Sequence, residues 1–409
     1  MKLNGLHWKK NGCDQAALKM DFCMNQRIRY QSPLTILFAI AFTFGTAQAA
    51  VDLDAAGKIA LYGDARLRLE ADWDSQNSSG IQREDRTRLR TRMRFGLDIK
   101  PVDTIKVGIR LRSGSDFSHQ SPHITLVDLD DNDTGDADFN FDKWYMSYSD
   151  GKATAWAGRN SLPFWKQNEI IWDDDVTASG VGLNWKLENL ELNAGYFSLP
   201  VGMRAFSGNL SIGQVVYRAR IGEDDLTIAG GLLNVDANAV DGDASLLLDG
   251  NGARDFRTWV LSAQYATTAR QRVLKFGIDY INNSIGYSSA DPNAFTAFNA
   301  DETDGLVASV SYGSTSKAGD WLGAYYYANV ETFAFSSSYS QDDWMRWGSA
   351  RETRSTNFNG HEFRFAYALM ESMNLVARLY IVEANVLRSV AATAKEDGNR
   401  FRIDLNFRF

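Results

Sequence analysis

The amino-acid sequence predicts an all-β fold, a transmembrane antiparallel up-and-down β-barrel of about 16 strands. Three observations support this fold class. Apolar and polar residues alternate with a period of two through most of the chain. The connections between these segments are alternately short and long. Aromatic residues recur near one end of the segments, on the apolar phase, as expected for rings at a membrane interface.

The N-terminal region has the organisation of a secretory signal peptide. Arg27 and Arg29 precede an apolar run from Pro33 to Phe44, and Ala47-Gln48-Ala49 forms a small-x-small cleavage site. The apolar run is too short to cross a bilayer as a helix. We therefore expect residues 1–49 to be removed, with a retained anchor helix as the alternative.

Met24 is an alternative translation start, which would make residues 1–23 an extension. The proposed cleavage also determines which residues remain in the mature chain. Both cysteines, Cys13 and Cys23, precede the cut, so disulfides and thiolate sites are excluded from the mature protein. Without residues 1–49, 37 basic and 49 acidic residues remain, which argues against a nucleic-acid partner. Residues 50–409 are then one barrel domain in the bacterial outer membrane.

The alternation is clearest in the first two predicted strands, residues 58–73 and 86–100, where apolar residues occupy one phase and charged residues the other. The remaining predicted strands are 105–113, 141–149, 153–159, 180–187, 190–198, 209–221, 226–234, 256–266, 272–282, 304–313, 320–330, 359–369, 374–384 and 399–409. In a barrel the apolar phase contacts lipid and the polar phase lines the lumen.

The connections and aromatics orient this predicted barrel. Turns such as 150–152 are short, whereas 114–140 and 331–358 are long and polar. Short turns are expected in the periplasm and long loops outside the cell. The aromatics predicted near the periplasmic ends, facing outward, are Tyr148, Trp185, Tyr217, Tyr265, Tyr312, Tyr367 and Phe409. A final strand ending in Phe resembles the closing strand of outer-membrane proteins.

Basic side chains on the inward phase of the early strands are the main candidate functional feature. This predicted basic patch consists of Arg66, Arg68, Arg86, Arg88, Arg90, Arg92, Arg94, Lys106, Arg110, Arg112 and Arg159. Neighbouring strands lie about 4.8 Å apart, so these side chains should share one sector of the wall. Because unpaired buried charges are very unfavourable, they must face water, acidic partners or a translocating anion.

One segment carries a family resemblance. The run from Phe141 to Tyr148, followed by Gly158-Arg159, Pro163-Phe164-Trp165 and Ile171 to Asp175, resembles the bacterial "putative porin" family. The resemblance implies an outer-membrane pore and no particular substrate. In general porins the loop at this place folds into the lumen and narrows it.

That loop, residues 161–179 after the fifth predicted strand, carries both acidic and aromatic residues. Its acidic residues are Glu169, Asp173, Asp174 and Asp175, and its aromatics are Phe164, Trp165 and Trp172. We expect the aromatics to fix the loop against the wall and the carboxylates to face the basic patch. Such opposed charges create a transverse field that sorts solutes. Alternatively, the charges neutralise one another and only hold the loop in place.

Two other groups of residues could carry chemistry. The acidic run Asp128, Asp130, Asp131, Asp133, Asp136 and Asp138 lacks a calcium-loop pattern, because Phe141 stands where the bidentate Glu belongs. A solvated acidic outer loop is the better interpretation. His119, His123 and His361 are the mature histidines, and the chain has no Gly-x-Ser-x-Gly or His-Glu-x-x-His motif. We therefore predict no enzyme, no cofactor and no metal.

The sequence thus predicts a water-filled channel for passive diffusion of small hydrophilic, anionic solutes. One alternative is a selective channel for an anionic oligo- or polysaccharide, which would also suit an arginine-lined lumen. An alternative from another class is a barrel hydrolase that uses His119 or His123. The expected surroundings are outer-membrane lipid and lipopolysaccharide. The sequence does not decide whether the protein forms a homotrimer.

Overall fold

The computed structural model describes residues 50–116, 119–131, 134–135, 137–200, 206–238, 248–345 and 355–409. The predicted signal peptide, with Cys13 and Cys23, lies outside the described residues, as do Asp133 and Asp136 of the acidic run. Among the described residues, no helix combines the length and the apolar character that a membrane crossing requires.

The described residues form strands and a short helix α1 (Ala294–Phe298). The strands are β1 (Val51–Asp52), β2 (Ile59–Trp73), β3 (Arg86–Val102), β4 (Ile105–Ser113), β5 (Ile124–Asp128), β6 (Phe139–Ser149), β7 (Ala153–Asn160), β8 (Ala178–Lys186), β9 (Leu190–Ser198), β10 (Gly208–Ile221), β11 (Asp224–Ala237), β12 (Phe256–Ala269), β13 (Arg272–Asn283), β14 (Asp304–Gly313), β15 (Trp321–Val330), β16 (Phe358–Met370), β17 (Met373–Glu383) and β18 (Asp397–Arg408).

The sheet closes on itself. Each long strand pairs antiparallel with the next, and β18 pairs with β2 through residues such as Arg402 opposite Glu70. β1 and β5 are short additions: β1 pairs with β2, and β5 extends the wall by pairing with the outer part of β3. The remaining strands form the predicted barrel, so both the fold class and the predicted strand count of about 16 are confirmed.

The connections are sorted by length as predicted. At the end that holds the C-terminus, β6 and β7 are joined by residues 150–152, and β16 and β17 by residues 371–372. At the other end, β13 and β14 are joined by residues 284–303, which contain α1, and β15 and β16 by residues 331–357. Gly151 has φ 91° and so supplies the left-handed conformation that its tight turn needs.

The outer face of the barrel is apolar. Outward residues of neighbouring strands, such as Met146, Val181 and Tyr196, are more than half exposed, which suits contact with lipid rather than water. Of the predicted aromatics, Tyr148, Trp185, Tyr217, Tyr265 and Tyr367 are exposed on this face. Tyr312 and Phe409 are half-buried because each packs on another ring, Trp321 and Phe95 respectively.

The interior differs from a uniformly polar lumen. On the inward phase, β2, β3 and β18 carry charges. Other strands carry buried apolar side chains on this phase, near the end of the barrel that has the long loops. These include Phe197, Leu210, Leu233, Phe256, Val260, Ile281, Val330 and Phe358. They pack against apolar residues of inward-folded loops, among them Ile170, Trp172, Phe333, Phe335 and Tyr339. Part of the barrel interior is therefore a dry core, in which loop side chains replace water.

Inward aromatic rings lie over glycines of the neighbouring strand. Tyr62 is the register partner of Gly96, and Trp156 is the register partner of Gly182. A Cβ on Gly182 would lie 2.5 Å from the Trp156 ring, so the ring occupies the space that a side chain would need. Such aromatic–glycine pairs fix strand register and cover exposed backbone.

We predict that Gly182→Ala destabilises the barrel by about 1–3 kcal/mol, because the added methyl group displaces the Trp156 ring. The measurement is urea unfolding in detergent micelles, and the readout is the heat-dependent shift in gel migration that distinguishes folded from unfolded barrels. Gly213→Ala is the matched control, since nothing lies within 4 Å of a Cβ at that position. Equal unfolding midpoints for the two variants would contradict the predicted role of the Trp156–Gly182 pair.

Candidate functional site

The arginines of β2 and β3 point into the barrel and are paired with carboxylates of the same wall. Asp64, Glu70 and Asp72 lie on the inward phase of β2, between β3 and β18. Arg94 contacts Asp64 at 2.6 Å, and Arg86 contacts Asp72 at 2.8 Å. The β2 carboxylates therefore neutralise arginines from both neighbouring strands.

The other members of the predicted basic patch also have partners. Their contacts are Arg66 with Asn406 at 2.6 Å, Arg68 with Asp404 at 2.7 Å, Arg88 with Glu70, Arg90 with Glu70 at 3.6 Å, Arg92 with Asp64 at 2.8 Å, Lys106 with Asp98 at 3.3 Å, Arg110 with Asp142 at 2.5 Å, Arg112 with the carbonyl of His119 at 3.2 Å, and Arg159 with Thr177 at 2.9 Å. Most of the sector is thus ion-paired, whereas the closest contacts of Arg66, Arg112 and Arg159 are with neutral groups. Arg159 differs from the prediction, because it is the register partner of the exposed Trp144 and lies over its ring.

The β7–β8 loop, residues 161–177, crosses the barrel interior. Trp165 exchanges backbone hydrogen bonds of 2.7 Å with the side chain of Gln214 on β10. Gln167 donates a hydrogen bond of 2.8 Å to Asp279 on β13. The Phe164 ring lies against Gly231 of β11, where a Cβ would approach it to 2.6 Å. The loop therefore follows the inner wall before it returns to β8.

The four predicted acidic residues of this loop occupy different environments. Asp175 contacts Arg94 at 2.6 Å and Arg92 at 3.2 Å, as expected for carboxylates facing the patch. Asp174 instead pairs with Lys166 at 2.6 Å, and its side chain is 61% exposed. Asp173 is buried and accepts a hydrogen bond of 2.7 Å from the backbone N–H of Asp175.

The pKa directions separate these loop carboxylates. Burial alone would raise the pKa of Asp175, but Arg92 and Arg94 lower it to about 2. Burial raises the pKa of Asp173 well above its usual value, and Asp175 and Glu169 add to this. Burial, followed by Asp174, also raises the pKa of Glu169. Asp175 is thus the anchored anion of the loop, whereas Glu169 and Asp173 are less readily ionised.

A second loop, which the sequence did not indicate, also enters the interior. Asp343 of the β15–β16 loop contacts Arg402 and lies 3.6 Å from both Arg68 and Arg378. Burial opposes its ionisation, but Arg402, Arg68 and Arg378 hold the pKa of Asp343 well below its usual value. Its position shows that carboxylates from two loops, Asp175 and Asp343, meet the charged wall.

The two loops also pack on each other. The rings of Trp172 and Tyr339 stack with centroids 5.2 Å apart, and the Asp173 N–H donates to the Tyr339 carbonyl at 2.9 Å. Trp172 therefore fixes one loop to the other, rather than to the barrel wall as its sequence suggested. Together the loops form one inserted layer that is apolar towards the wall and charged at its tip.

The described residues line interior cavities beside this layer, of which the lower one lies nearer the end that holds the C-terminus. The lower cavity, of about 480 Å³, is lined by Arg66, Arg92, Arg94, Arg378, Arg408, Asp64, Glu169, Asp174, Asp175 and Asp343, with Asn374 and Asn406 among its other residues. The middle cavity, of about 190 Å³, is lined by Lys166, Glu169, Asp174, Tyr326, Glu362 and Arg364 among others. Glu169 and Asp174 line both cavities and therefore lie between them.

The described contacts of the histidines are with arginines and a tyrosine rather than with carboxylates. His119 faces the guanidinium of Arg159 at 3.3 Å, and a cation cannot orient a general base. His123 lies among arginines, with no hydrogen-bond partner for its Nε2 in the described part of the chain. His361 contacts the Tyr325 hydroxyl at 2.8 Å on the outward phase of β16. No group of three or more His, Cys, Asp or Glu residues among the described positions is arranged to hold a metal ion.

Comparison with known proteins agrees with this architecture. The model of the "Putative porin" family matches residues 67–197. The predicted resemblance is confirmed over that segment. It covers the charged early strands and the β7–β8 loop. Among curated proteins, no sequence matches the chain.

Solved structures with the same fold include OprB of Pseudomonas putida. Its high-pH structure has a TM-score of 0.53 and 12% identity, covering 86% of this chain and 94% of that chain. Its low-pH structure has a TM-score of 0.51 and 10% identity, covering 90% of this chain and 100% of that chain. At this identity the likeness concerns the fold. The family match and the fold together support an outer-membrane channel rather than an enzyme.

We predict that Asp343→Asn lowers the free energy of unfolding by about 3 kcal/mol, because it leaves Arg402, Arg68 and Arg378 without their shared carboxylate. Urea unfolding of the protein in micelles measures the change. Asp342→Asn is the matched control. Burial and then Asp343 raise the pKa of Asp342, so its ionised form is unfavourable and the amide should cost nothing. A loss of stability in the control as large as in Asp343→Asn would contradict the ion-pair role.

Proposed function

We propose that this protein forms a water-filled channel through which small hydrophilic solutes diffuse passively across the outer membrane. The observation that carries the proposal is the pair of charged cavities inside a closed barrel, which share Glu169 and Asp174 as lining residues. A channel selects solutes by the width and the electrostatic field of its narrowest part. Export through a signal peptide over residues 1–49 remains part of the proposal.

The narrowest part is proposed to lie at the tip of the inserted layer. The β7–β8 loop crosses from β10 and β13 to the arginines of β3, as a narrowing loop must. The β15–β16 loop adds Asp343 to the same region. Both loops would set the size limit, whereas the sequence indicated only the first.

The charge preference is proposed to be weaker than the sequence suggested. In the lower cavity, the five arginines face five carboxylates of β2 and the two loops. An arginine that is already paired contributes little net field to a passing solute. The anion preference therefore depends on Arg66 and Arg378, whose nearest carboxylate oxygens are 3.8 and 3.6 Å away, and on Arg408, which has no ion pair among the described residues.

The contacts favour this proposal over its two alternatives. A polysaccharide channel would need a continuous row of accessible cations, but most of the basic patch is ion-paired, and loops fill part of the interior. A hydrolase would need a histidine oriented by a carboxylate, whereas His119 contacts Arg159 and His123 lies among arginines.

We predict that Arg66→Gln changes the anion-to-cation permeability ratio by about twofold towards cations, because it removes a charge that no close carboxylate neutralises. The measurement is the reversal potential of planar bilayers in a salt gradient. Arg218→Gln is the control: this arginine pairs with Glu191 at 2.7 Å and lines neither cavity, so its change should be smaller. An absence of ion-conducting channels in the unmodified protein would refute the proposed function itself.

A further inference from the structure

Arg378 and Glu169 both line the lower cavity, and the bonding capacity of each is incompletely used. Arg378 on β17 lies 3.6 Å from Asp343 and 3.9 Å from Glu362, both beyond hydrogen-bond distance. Its only hydrogen bond among those of the described residues is 3.3 Å long, to the Tyr380 hydroxyl, and its Nε has none. The guanidinium is 12% exposed and lines the cavity. It can therefore still donate to a ligand.

Glu169 supplies the opposite charge. It lies on the β7–β8 loop and lines the same cavity as Arg378. It makes no hydrogen bond or ion pair with any residue of the described ranges. Its neighbour Asp174, 61% exposed, lines the same cavity and pairs with Lys166 at 2.6 Å. Burial, then Asp174, raises the pKa of Glu169, so a cation placed beside it would favour its ionised form.

Arg378 and Glu169 line the same cavity and do not pair with each other. Burial and Asp174 raise the pKa of Glu169, and the positive charge of Arg378 acts in the opposite direction. Further donors surround the cationic side. Arg66 donates to Asn406 at 2.6 Å, and Asn406 donates to Asn374 at 2.9 Å, in a row across β2, β18 and β17. The wall therefore offers donors to an acceptor, and the loop offers carboxylates to a cation.

We propose that the lower cavity is a binding site for small zwitterions that carry one carboxylate and one ammonium group. The solute carboxylate would accept hydrogen bonds from Arg378, and its ammonium would contact Glu169, with Asp174 adjacent. A cavity of about 480 Å³ has room for such a solute with several water molecules. This inference rests on the proposed channel function and names the class of solute that it favours.

Alanine and glycerol test this proposal, because they are similar in size and neither carries net charge. Proteoliposomes containing the purified protein are diluted into isosmotic solute, and the swelling rate reports permeation. We expect alanine to enter faster than glycerol. Arg378→Gln and Glu169→Gln should each lower the alanine-to-glycerol ratio by about threefold, the effect of one partly exposed charge contact.

Matched controls lie on the opposite wall, where Arg218 and Glu191 pair with each other and line neither cavity. Arg218→Gln and Glu191→Gln should leave the ratio unchanged. If Arg378→Gln does not insert into membranes, Arg378→Lys keeps the charge and should keep the ratio. Glu169→Gln, on a loop, tests the second pole independently.

Three outcomes would overturn the inference or its basis. An unchanged ratio in Glu169→Gln, with or without a loss in Arg378→Gln, would mean that the cavity does not recognise zwitterions. A reduced ratio in the Arg218 and Glu191 controls would mean that any lumenal charge has the same effect. Swelling with neither solute, in the unmodified protein, would instead refute the proposed channel, so the two failures are distinguishable.

Discussion

The structure depends on neutralising a dense group of arginines inside a closed barrel. Five arginines follow the inward phase of β3, at every second residue from Arg86 to Arg94. Guanidinium groups at this spacing repel one another and cannot lose their charge, so they need anions within reach. β2 places Asp64, Glu70 and Asp72 between β3 and β18, and the adjacent strands share these carboxylates. The closing seam between β18 and β2 is thereby charged as well as hydrogen-bonded.

The same requirement explains why two loops enter the barrel. The β2 carboxylates are fewer than the arginines around them, and Asp175 and Asp343 supply further negative charge from the loops. Ion pairs alone give little net stability after desolvation. The apolar contacts behind the charged tips, including the Trp172–Tyr339 stack, supply the burial that holds the loops in place. Charge fixes where the tips lie, and apolar packing keeps them there.

The strands and the inward arginines could be predicted because period-two alternation is a local property. Arg88 and Met93 were assigned to opposite faces from their positions in β3 alone, and the structure places them so. The loops could not be predicted in this way. Asp343 is bound by arginines of β2, β17 and β18, which are far from it in sequence. Arg364 and Arg378 were missed for another reason, since each is the only arginine of a largely aromatic or aliphatic strand, whereas β3 carries a run of arginines.

The period-two rule that identified the strands did not predict the apolar residues on their inward faces. Residues such as Phe197 and Leu210 stand on the phase that a water-filled barrel would fill with polar groups. Their presence means that the interior is divided into two parts. Loops fill the apolar part, and water can enter only the charged part, beside β2, β3, β16, β17 and β18. A solute on this route meets mostly saturated ion pairs, which bind it weakly. Arg378 and Glu169 are exceptions, and their loose contacts allow a ligand to bind without breaking a strong pair. Conduction requires this balance, because a site that holds its solute tightly would block the channel that it serves.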